Sequence, residues 1–208
     1  MNNSLTHPKS LARIGGVSYW IIFFAAIFAN FFALEALIQA PLKTVQQDAQ
    51  FVSLGIMAFV ITVVFDVVVA WMLQEMFKDQ PLSFLSTAFR MMHATLMGVA
   101  IFALPLALKA QNAEAILYHV EMFNTLWLIG LFFFGIHLML LGQMPGIPRV
   151  IALLLQIAGF MFMLDTTAHF MLPNYSAYAS GFLILVATPS ILGEMSFALW
   201  LFVKGDRA

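Results

Sequence analysis

Long apolar runs separated by short polar connectors dominate this sequence of 208 residues. The four runs richest in Phe, Leu, Ile and Met reach or exceed the roughly 18 to 20 residues that cross a bilayer core. Hydropathy predicts six spans, at about 14–37, 51–73, 82–108, 115–141, 149–171 and 179–203. Connectors this short make consecutive helices antiparallel. We therefore expect an all-α polytopic membrane protein in which residues 1–208 form a single domain, a bundle of six transmembrane helices.

Composition strengthens the prediction of a membrane protein. The chain is 62% hydrophobic and 9% charged, whereas soluble domains average about 25% charged residues. Its partners are therefore expected to include membrane lipids. The formal net charge of −1 offers no basic patch for nucleic acid. The absence of cysteine excludes disulfides, thiol catalysis and thiolate metal sites.

The basic residues predict the orientation of the helices. With a cytoplasmic N-terminus, most of them fall on the cytoplasmic side: Lys9, Arg13, Lys78, Arg149, Lys204 and Arg207. Only Lys43 and Lys109 fall on the other side, while Arg90 lies inside the third span. The positive-inside rule therefore predicts that both termini are cytoplasmic.

Several short motifs, taken in order, resemble one known family. They are Ala12-Arg-Ile-Gly-Gly16, Gly135-Ile-His-Leu138, Pro148-Arg149, Leu172-Pro-Asn-Tyr175 after the helix of Asp165, and Gly193-Glu194 before Ala198-Leu-Trp-Leu-Phe-Val-Lys-Gly205. The chain resembles the bacterial integral membrane family catalogued as domain of unknown function 4386. The resemblance implies a six-helix protein of the bacterial inner (cytoplasmic) membrane and implies no activity. His93 stands where an acid is expected three residues after Arg90, which leaves an Arg–acid pair within that turn without its acid.

Five ionisable residues fall at similar depth in the cytoplasmic half of the predicted bundle or near its middle: Asp66, Arg90, His93, His137 and Glu194. Ionisable groups inside spanning helices face the bundle interior and pair with one another. We expect Asp66 and Arg90 to form an ion pair. That pair either locks two helices together or belongs to a binding site for a small anionic or amphipathic ligand, with His137 and Glu194 as proton-handling neighbours.

A second set of ionisable residues lies toward the other surface. Asp165 and His169 are one turn apart on the same helix face, and His119 lies near the start of the fourth span. An oxygen and an imidazole nitrogen at this spacing can bind one divalent cation such as zinc. The alternative is a simple Asp–His hydrogen bond near the interface.

The ligand-binding hypothesis is therefore one of several. An intramembrane metal-dependent enzyme would use His119, Asp165 and His169, whereas a structural or partner-stabilising subunit would use its buried charges only for packing. Haem bound by two imidazoles is a further alternative, between His93 and His137 or between His119 and His169. No hydrolase, P-loop or dinucleotide-binding motif is present, so catalytic residues and enzymatic activity stay open.

Overall fold

A computed structural model describes residues 7–204 of the chain, except for the side chain of Lys204. Its α-helices are α1 (Pro8–Phe28), α2 (Glu35–Gln39), α3 (Pro41–Gln47), α4 (Ala49–Met76), α5 (Ser83–Ile101), α6 (Ala103–Ala107), α7 (Ala113–Leu141), α8 (Arg149–Met171) and α9 (Ala179–Lys204). A π-helical turn, Ala29–Leu34, joins α1 to α2, and a 3₁₀ turn, Tyr175–Ala177, precedes α9.

Six helical stretches of the described residues are long and apolar enough to cross a membrane, which confirms the six predicted spans. They are Pro8–Gln39, Ala49–Met76, Ser83–Ala107, Ala113–Leu141, Arg149–Met171 and Ala179–Val203. The first begins earlier than predicted because Pro8 occupies its first turn and the His7 side chain caps it, accepting a hydrogen bond from the Lys9 backbone N–H at 3.3 Å. Arg207 lies outside the described residues, and the cytoplasmic location of both termini stays a prediction.

The spanning helices form a closed ring. Contacts join α1 to α4, α4 to α5, α5 to α7, α7 to α8, α8 to α9 and α9 back to α1. Neighbours run antiparallel, as the short connectors predict. On α7 and α8, for example, Leu128 accepts a hydrogen bond from Thr166, and Gly135 lies against Gly159. The contacts thus move toward the end of α7 as they move toward the start of α8, which is the antiparallel arrangement.

Two glycines bring α7 and α8 into close contact. A Cβ atom placed on Gly135 would collide with the carbonyl oxygen of Gly159, and a Cβ atom on Gly159 would collide with that of Gly135. Small residues allow such close backbone approach, which is how helices gain packing energy inside a bilayer. This contact fixes α7, and with it the side chains that α7 carries into the ring.

The buried apolar side chains form two clusters, one toward each end of the bundle. The cluster on the side of the two termini includes Tyr19, Val69 and Phe197. The cluster on the opposite side includes Phe59 and Phe123. On α4, Asp66 lies between Val69 of the first cluster and Phe59 of the second, so this buried acid lies between the two apolar clusters.

Candidate functional site

An ion pair between Asp66 of α4 and Arg90 of α5 lies at the centre of the ring. Nη2 of Arg90 donates to Oδ1 of Asp66 at 2.5 Å, and the two side chains are only 1% and 7% exposed. Nε of Arg90 also donates to the backbone oxygen of Asp66 at 3.4 Å. The predicted pairing is confirmed, and it gives each charge the partner that burial requires.

The second arm of Arg90 joins two further helices. Nη1 donates to the hydroxyl oxygen of Tyr19 on α1 at 3.2 Å and lies 3.1 Å from Nε2 of His137 on α7. The guanidinium carbon is 5.2 Å from the ring centres of both Tyr19 and Phe134, within the range of cation–π attraction. Arg90 thus links α1, α4, α5 and α7 through a single side chain.

The hydrogen bonds of His137 determine which of its nitrogens carries the hydrogen. An arginine only donates, so Nε2 of His137 must accept from Arg90 and the ring hydrogen is on Nδ1. Nδ1 lies 3.0 Å from the backbone oxygen of Ser86 and 2.9 Å from its Oγ. The Ser86 hydroxyl in turn donates to the backbone oxygen of His137 at 3.4 Å. His137 is therefore a neutral imidazole with both nitrogens hydrogen-bonded.

His93 lies beside the same ion pair but is bound differently. Its Nε2 is 3.7 Å from Oδ2 of Asp66, the carboxylate oxygen that does not contact Arg90. Its Nδ1 is buried and has no hydrogen-bond partner among the described residues. The ring packs 4.7 Å from that of Phe134. We call Tyr19, Asp66, Ser86, Arg90, His93 and His137 the Arg90 cluster.

Glu194, the remaining predicted member of this layer, lies near the cluster without a direct hydrogen bond to it in the described part of the chain. Its Oε1 accepts a hydrogen bond from Ser190, one turn earlier on α9, at 2.7 Å. The side chain is half-buried and interacts electrostatically with Arg90 and Tyr19. Glu194 is therefore a neighbour of the cluster and not one of the donors or acceptors that bind Arg90.

In the second predicted set of ionisable residues, Asp165 binds a different partner from the expected His169. Oδ1 of Asp165 accepts a hydrogen bond from the hydroxyl of Tyr175, in the loop between α8 and α9, at 2.6 Å. The expected bond between Asp165 and His169 is absent from the hydrogen bonds of residues 7–204; His169 instead packs its ring 4.7 Å from that of Tyr175. Burial, followed by the hydrogen bond and the charge of Asp165, raises the pKa of Tyr175 above its ordinary value. We call these two residues the Asp165–Tyr175 pair.

The three candidate metal ligands are not gathered into a site. Among the described residues, no three His, Asp or Glu side chains are placed to share a metal ion. His119 packs its ring beside Tyr118, and the Nδ1 atoms of His119 and His169 are both buried without a hydrogen-bond partner in residues 7–204. The arrangement gives the proposed metal-dependent enzyme no support.

The pairing of His93 with His137 around a haem also lacks support. Both nitrogens of His137 are engaged, by Arg90 and by Ser86, so the lone pair of this neutral ring, on Nε2, is not available to iron. The ring of Phe134 packs against both imidazoles, at 4.7 Å and 5.7 Å. A macrocycle between the two histidines would have to displace that ring.

An open groove of about 430 Å³ lies elsewhere on the bundle. It is lined by Tyr118, Glu121, Met122, Thr125 and Leu126 of α7. None of these side chains belongs to the Arg90 cluster, so the groove and the buried polar cluster are separate features.

Six membrane-length helices around a buried polar cluster define the chain as a multi-pass α-helical membrane protein. The family model described as "Domain of unknown function (DUF4386)" matches residues 14–205. The chain belongs to that family. It is also similar to an uncharacterised protein of Archaeoglobus fulgidus, with 25% identity over 159 residues that cover 74% of this chain and 85% of the relative. No solved structure matches the chain. Its assignment to a bacterial inner membrane stays a prediction.

Proposed function

We propose that the Arg90 cluster binds, and takes part in moving, a small amphipathic ligand whose polar head enters between the helices. The proposal rests on one observation above all: a fully buried cluster of charged and polar side chains retains hydrogen-bonding capacity that the protein does not use. Unused buried capacity is costly unless something occupies it.

The unused capacity includes two donors and one acceptor. The Tyr19 hydroxyl accepts from Arg90, and its own hydrogen has no acceptor among the hydrogen bonds of the described residues. Arg90 has five N–H donors, of which four are directed at Tyr19, at His137, and at the backbone oxygen and Oδ1 of Asp66. Oδ2 of Asp66 faces only the distant Nε2 of His93. A hydroxyl or carbonyl head group matches this pattern.

Charge favours an uncharged head over an anionic one. The anionic alternative draws on the positive charge of Arg90, but Asp66 already neutralises that charge at 2.5 Å. Glu194 adds a second acid close by. An anion would have to displace Asp66 from Arg90, whereas a neutral head can bind the intact pair.

Helix α9 offers the route of entry. Residues 179–192 of α9 contain no buried side chain, whereas Phe197, Ala198 and Leu201 farther along are buried against the bundle. Pro189 lies inside the helix and removes one backbone hydrogen bond there. A ligand arriving from the lipid would pass this lightly packed half of α9 and reach Tyr19 beside Glu194.

The test measures thermal unfolding of the purified protein in nanodiscs with monolaurin, which has a neutral head, or laurate, which has an anionic one. A ligand that binds only the folded state raises the unfolding temperature. We expect monolaurin to raise that of the wild type, and Tyr19→Phe to lose most of the increase. The matched control Tyr118→Phe, on the surface of α7, should keep it. Equal responses in Tyr19→Phe and wild type, or no response to either probe, would overturn the proposal; a response to laurate alone would restore the anionic alternative.

A structural role is the second candidate function, and one observation favours it. Arg90 is bound on both arms by residues of the chain itself, and its side chain is 1% exposed. A charged network of this kind can serve only to fix the helix arrangement. Two results together would favour this role. Tyr19→Phe would lower the unfolding temperature, and neither lipid probe would change the unfolding temperature of any variant.

A further inference from the structure

We propose that His93 is a proton-binding site of the Arg90 cluster, bounded by Oδ2 of Asp66 on one side and by the backbone of Gly130 on the other. The inference does not depend on the amphipathic ligand, because the donors and the acceptor assigned to that ligand are on Tyr19, Arg90 and Asp66, whereas the proton is added to His93.

The surroundings of the imidazole carry the inference. His93 is 4% exposed, its Nε2 lies 3.7 Å from Oδ2 of Asp66, and its Nδ1 has no hydrogen-bond partner in residues 7–204. The neutral ring therefore places its hydrogen on Nε2, toward the carboxylate, and leaves a buried lone pair on Nδ1. An incoming proton is added at that Nδ1 and turns both nitrogens into donors.

Gly130 of α7 lies beside the nitrogen that would take up the proton. A Cβ atom on Gly130 would lie 3.4 Å from Nδ1 of His93, which is contact distance, so the glycine places α7 backbone directly beside the nitrogen. An added N–H would meet the polar backbone there. The ring of Phe134, 4.7 Å away, would face the imidazolium as a cation–π partner.

His137 provides the internal contrast. It is equally buried, but Nε2 accepts from Arg90 and Nδ1 donates to Ser86. A second proton on His137 would direct an N–H at the guanidinium and remove the acceptor that Arg90 uses. His137 therefore stays neutral while His93 exchanges its proton.

The charges around His93 act in opposite directions. The titratable groups that face the cluster are Tyr19 from α1, Asp66 from α4, Arg90 from α5, His137 from α7 and Glu194 from α9. Asp66 stabilises an imidazolium. Burial and the charge of Arg90 favour the neutral ring. Uptake of the proton therefore depends on Oδ2 of Asp66, the carboxylate oxygen that Arg90 does not contact.

The experiment is ¹⁵N NMR of histidine-labelled protein in micelles between about pH 5 and pH 9, the range over which histidine changes charge. His93→Gln assigns its signal, and the proximity of its Nδ1 to Gly130 assigns it in the wild type if the variant does not fold. We expect the His93 signals to convert from neutral imidazole to imidazolium as the pH falls, while those of His137 remain those of a neutral ring with its hydrogen on Nδ1. His119→Gln is the control and should leave both patterns unchanged. A His93 ring that stays in one form over the whole range, or a His137 ring that becomes charged, would overturn the proposal.

Discussion

The Arg90 cluster and the Asp165–Tyr175 pair are two solutions to the same problem, a carboxylic acid in an apolar helix. Asp66 is buried and is bound by a cation from the next helix. Asp165 is half-buried near the end of α8 and is bound by a neutral phenol from the following loop. The acid that is shut away from solvent has a charged partner, and the one near the end of its helix has an uncharged partner.

The difference follows from the cost of burial. A carboxylate in the middle of a bundle loses almost all of its hydration, and a single neutral donor does not compensate for that loss. An acid near a helix end keeps part of its hydration, so one hydrogen bond is enough. We therefore expect changes in the Arg90 cluster to affect the whole bundle, and changes in the Asp165–Tyr175 pair to affect mainly the α8–α9 connection.

The largest expected effect is that of Arg90→Met. The variant leaves Asp66 buried without a cation, which should lower the free energy of unfolding by about 3 to 5 kcal/mol. Asp66→Leu, which strands Arg90, should cost about as much. The double variant should cost less than the two single changes summed, because it removes both charges together. Chemical denaturation in micelles measures all three.

The three measurements show whether Asp66 and Arg90 are energetically coupled or contribute to stability independently. Arg13→Met, at an exposed arginine near the start of α1, is the control and should change the free energy of unfolding by no more than about 0.5 kcal/mol. Simple additivity of Arg90→Met and Asp66→Leu would show that the ion pair contributes no coupling, and the contrast with the Asp165–Tyr175 pair would be lost.

A smaller effect is expected from Tyr19→Phe. It removes one hydrogen-bond acceptor of Arg90 and leaves the contact with His137 in place. Hydrogen bonds to charged groups contribute about 1.5 to 3 kcal/mol, so we expect a loss within that range without any lipid probe present. A loss no greater than that of Tyr118→Phe would show that the Tyr19 contact adds nothing to the cluster.

Tyr175→Phe should have a weaker effect again. The variant removes the only hydrogen bond found for Asp165 in the described part of the chain, but the acid is half-buried and water can replace the phenol. We expect a loss of about 0.5 to 1.5 kcal/mol. Tyr178→Phe, three residues along the same loop and 54% exposed, is the matched control. A loss as large as that of Arg90→Met would contradict the link between burial and partner strength.

The sequence was sufficient to predict the spans and the central ion pair. Apolar runs locate helices well because a bilayer demands about 20 apolar residues in each, and the depth of Asp66 and Arg90 along consecutive antiparallel helices brought them to the same level. The same depth argument placed His137 correctly. Depth alone could not show that Arg90 contacts Tyr19 and not Glu194, because depth carries no information on which face of α9 meets α1.

Contacts made by uncharged residues were missed. Tyr19 lies within the apolar run of the first predicted span, although a hydroxyl about 17 Å into α1, at 1.5 Å per residue, is at a depth where it needs a partner. The sequence shows Tyr175 only as part of a motif shared with the family, because its contact with Asp165 depends on how the loop folds back. The register of α7 against α8 depends on Gly135 and Gly159, and glycines at similar spacing are too common in apolar helices to identify that pair from sequence.

The smallest expected effect concerns alkaline pH and the Asp165–Tyr175 pair. The folded-state pKa of Tyr175 is raised above the ordinary value for tyrosine, first by burial and then by Asp165. A group whose folded pKa is raised binds its proton more tightly in the folded state. Its contribution to stability is therefore complete below about pH 10 and is lost as the pH rises from there toward the folded pKa.

We therefore expect the wild type to lose stability between about pH 10 and pH 11.5, above the ordinary pKa of tyrosine, by more than Tyr175→Phe does. The comparison is made as the difference in unfolding temperature between the two proteins at each pH, so that general alkaline effects cancel. Tyr178→Phe should follow the wild type. The difference should be small, because the phenol is only partly buried and ionises next to water, whereas Tyr19 in the Arg90 cluster is fully enclosed. If the difference between wild type and Tyr175→Phe stays constant through this range, the Tyr175 hydroxyl does not hold its proton for Asp165, and the pair is a packing contact alone.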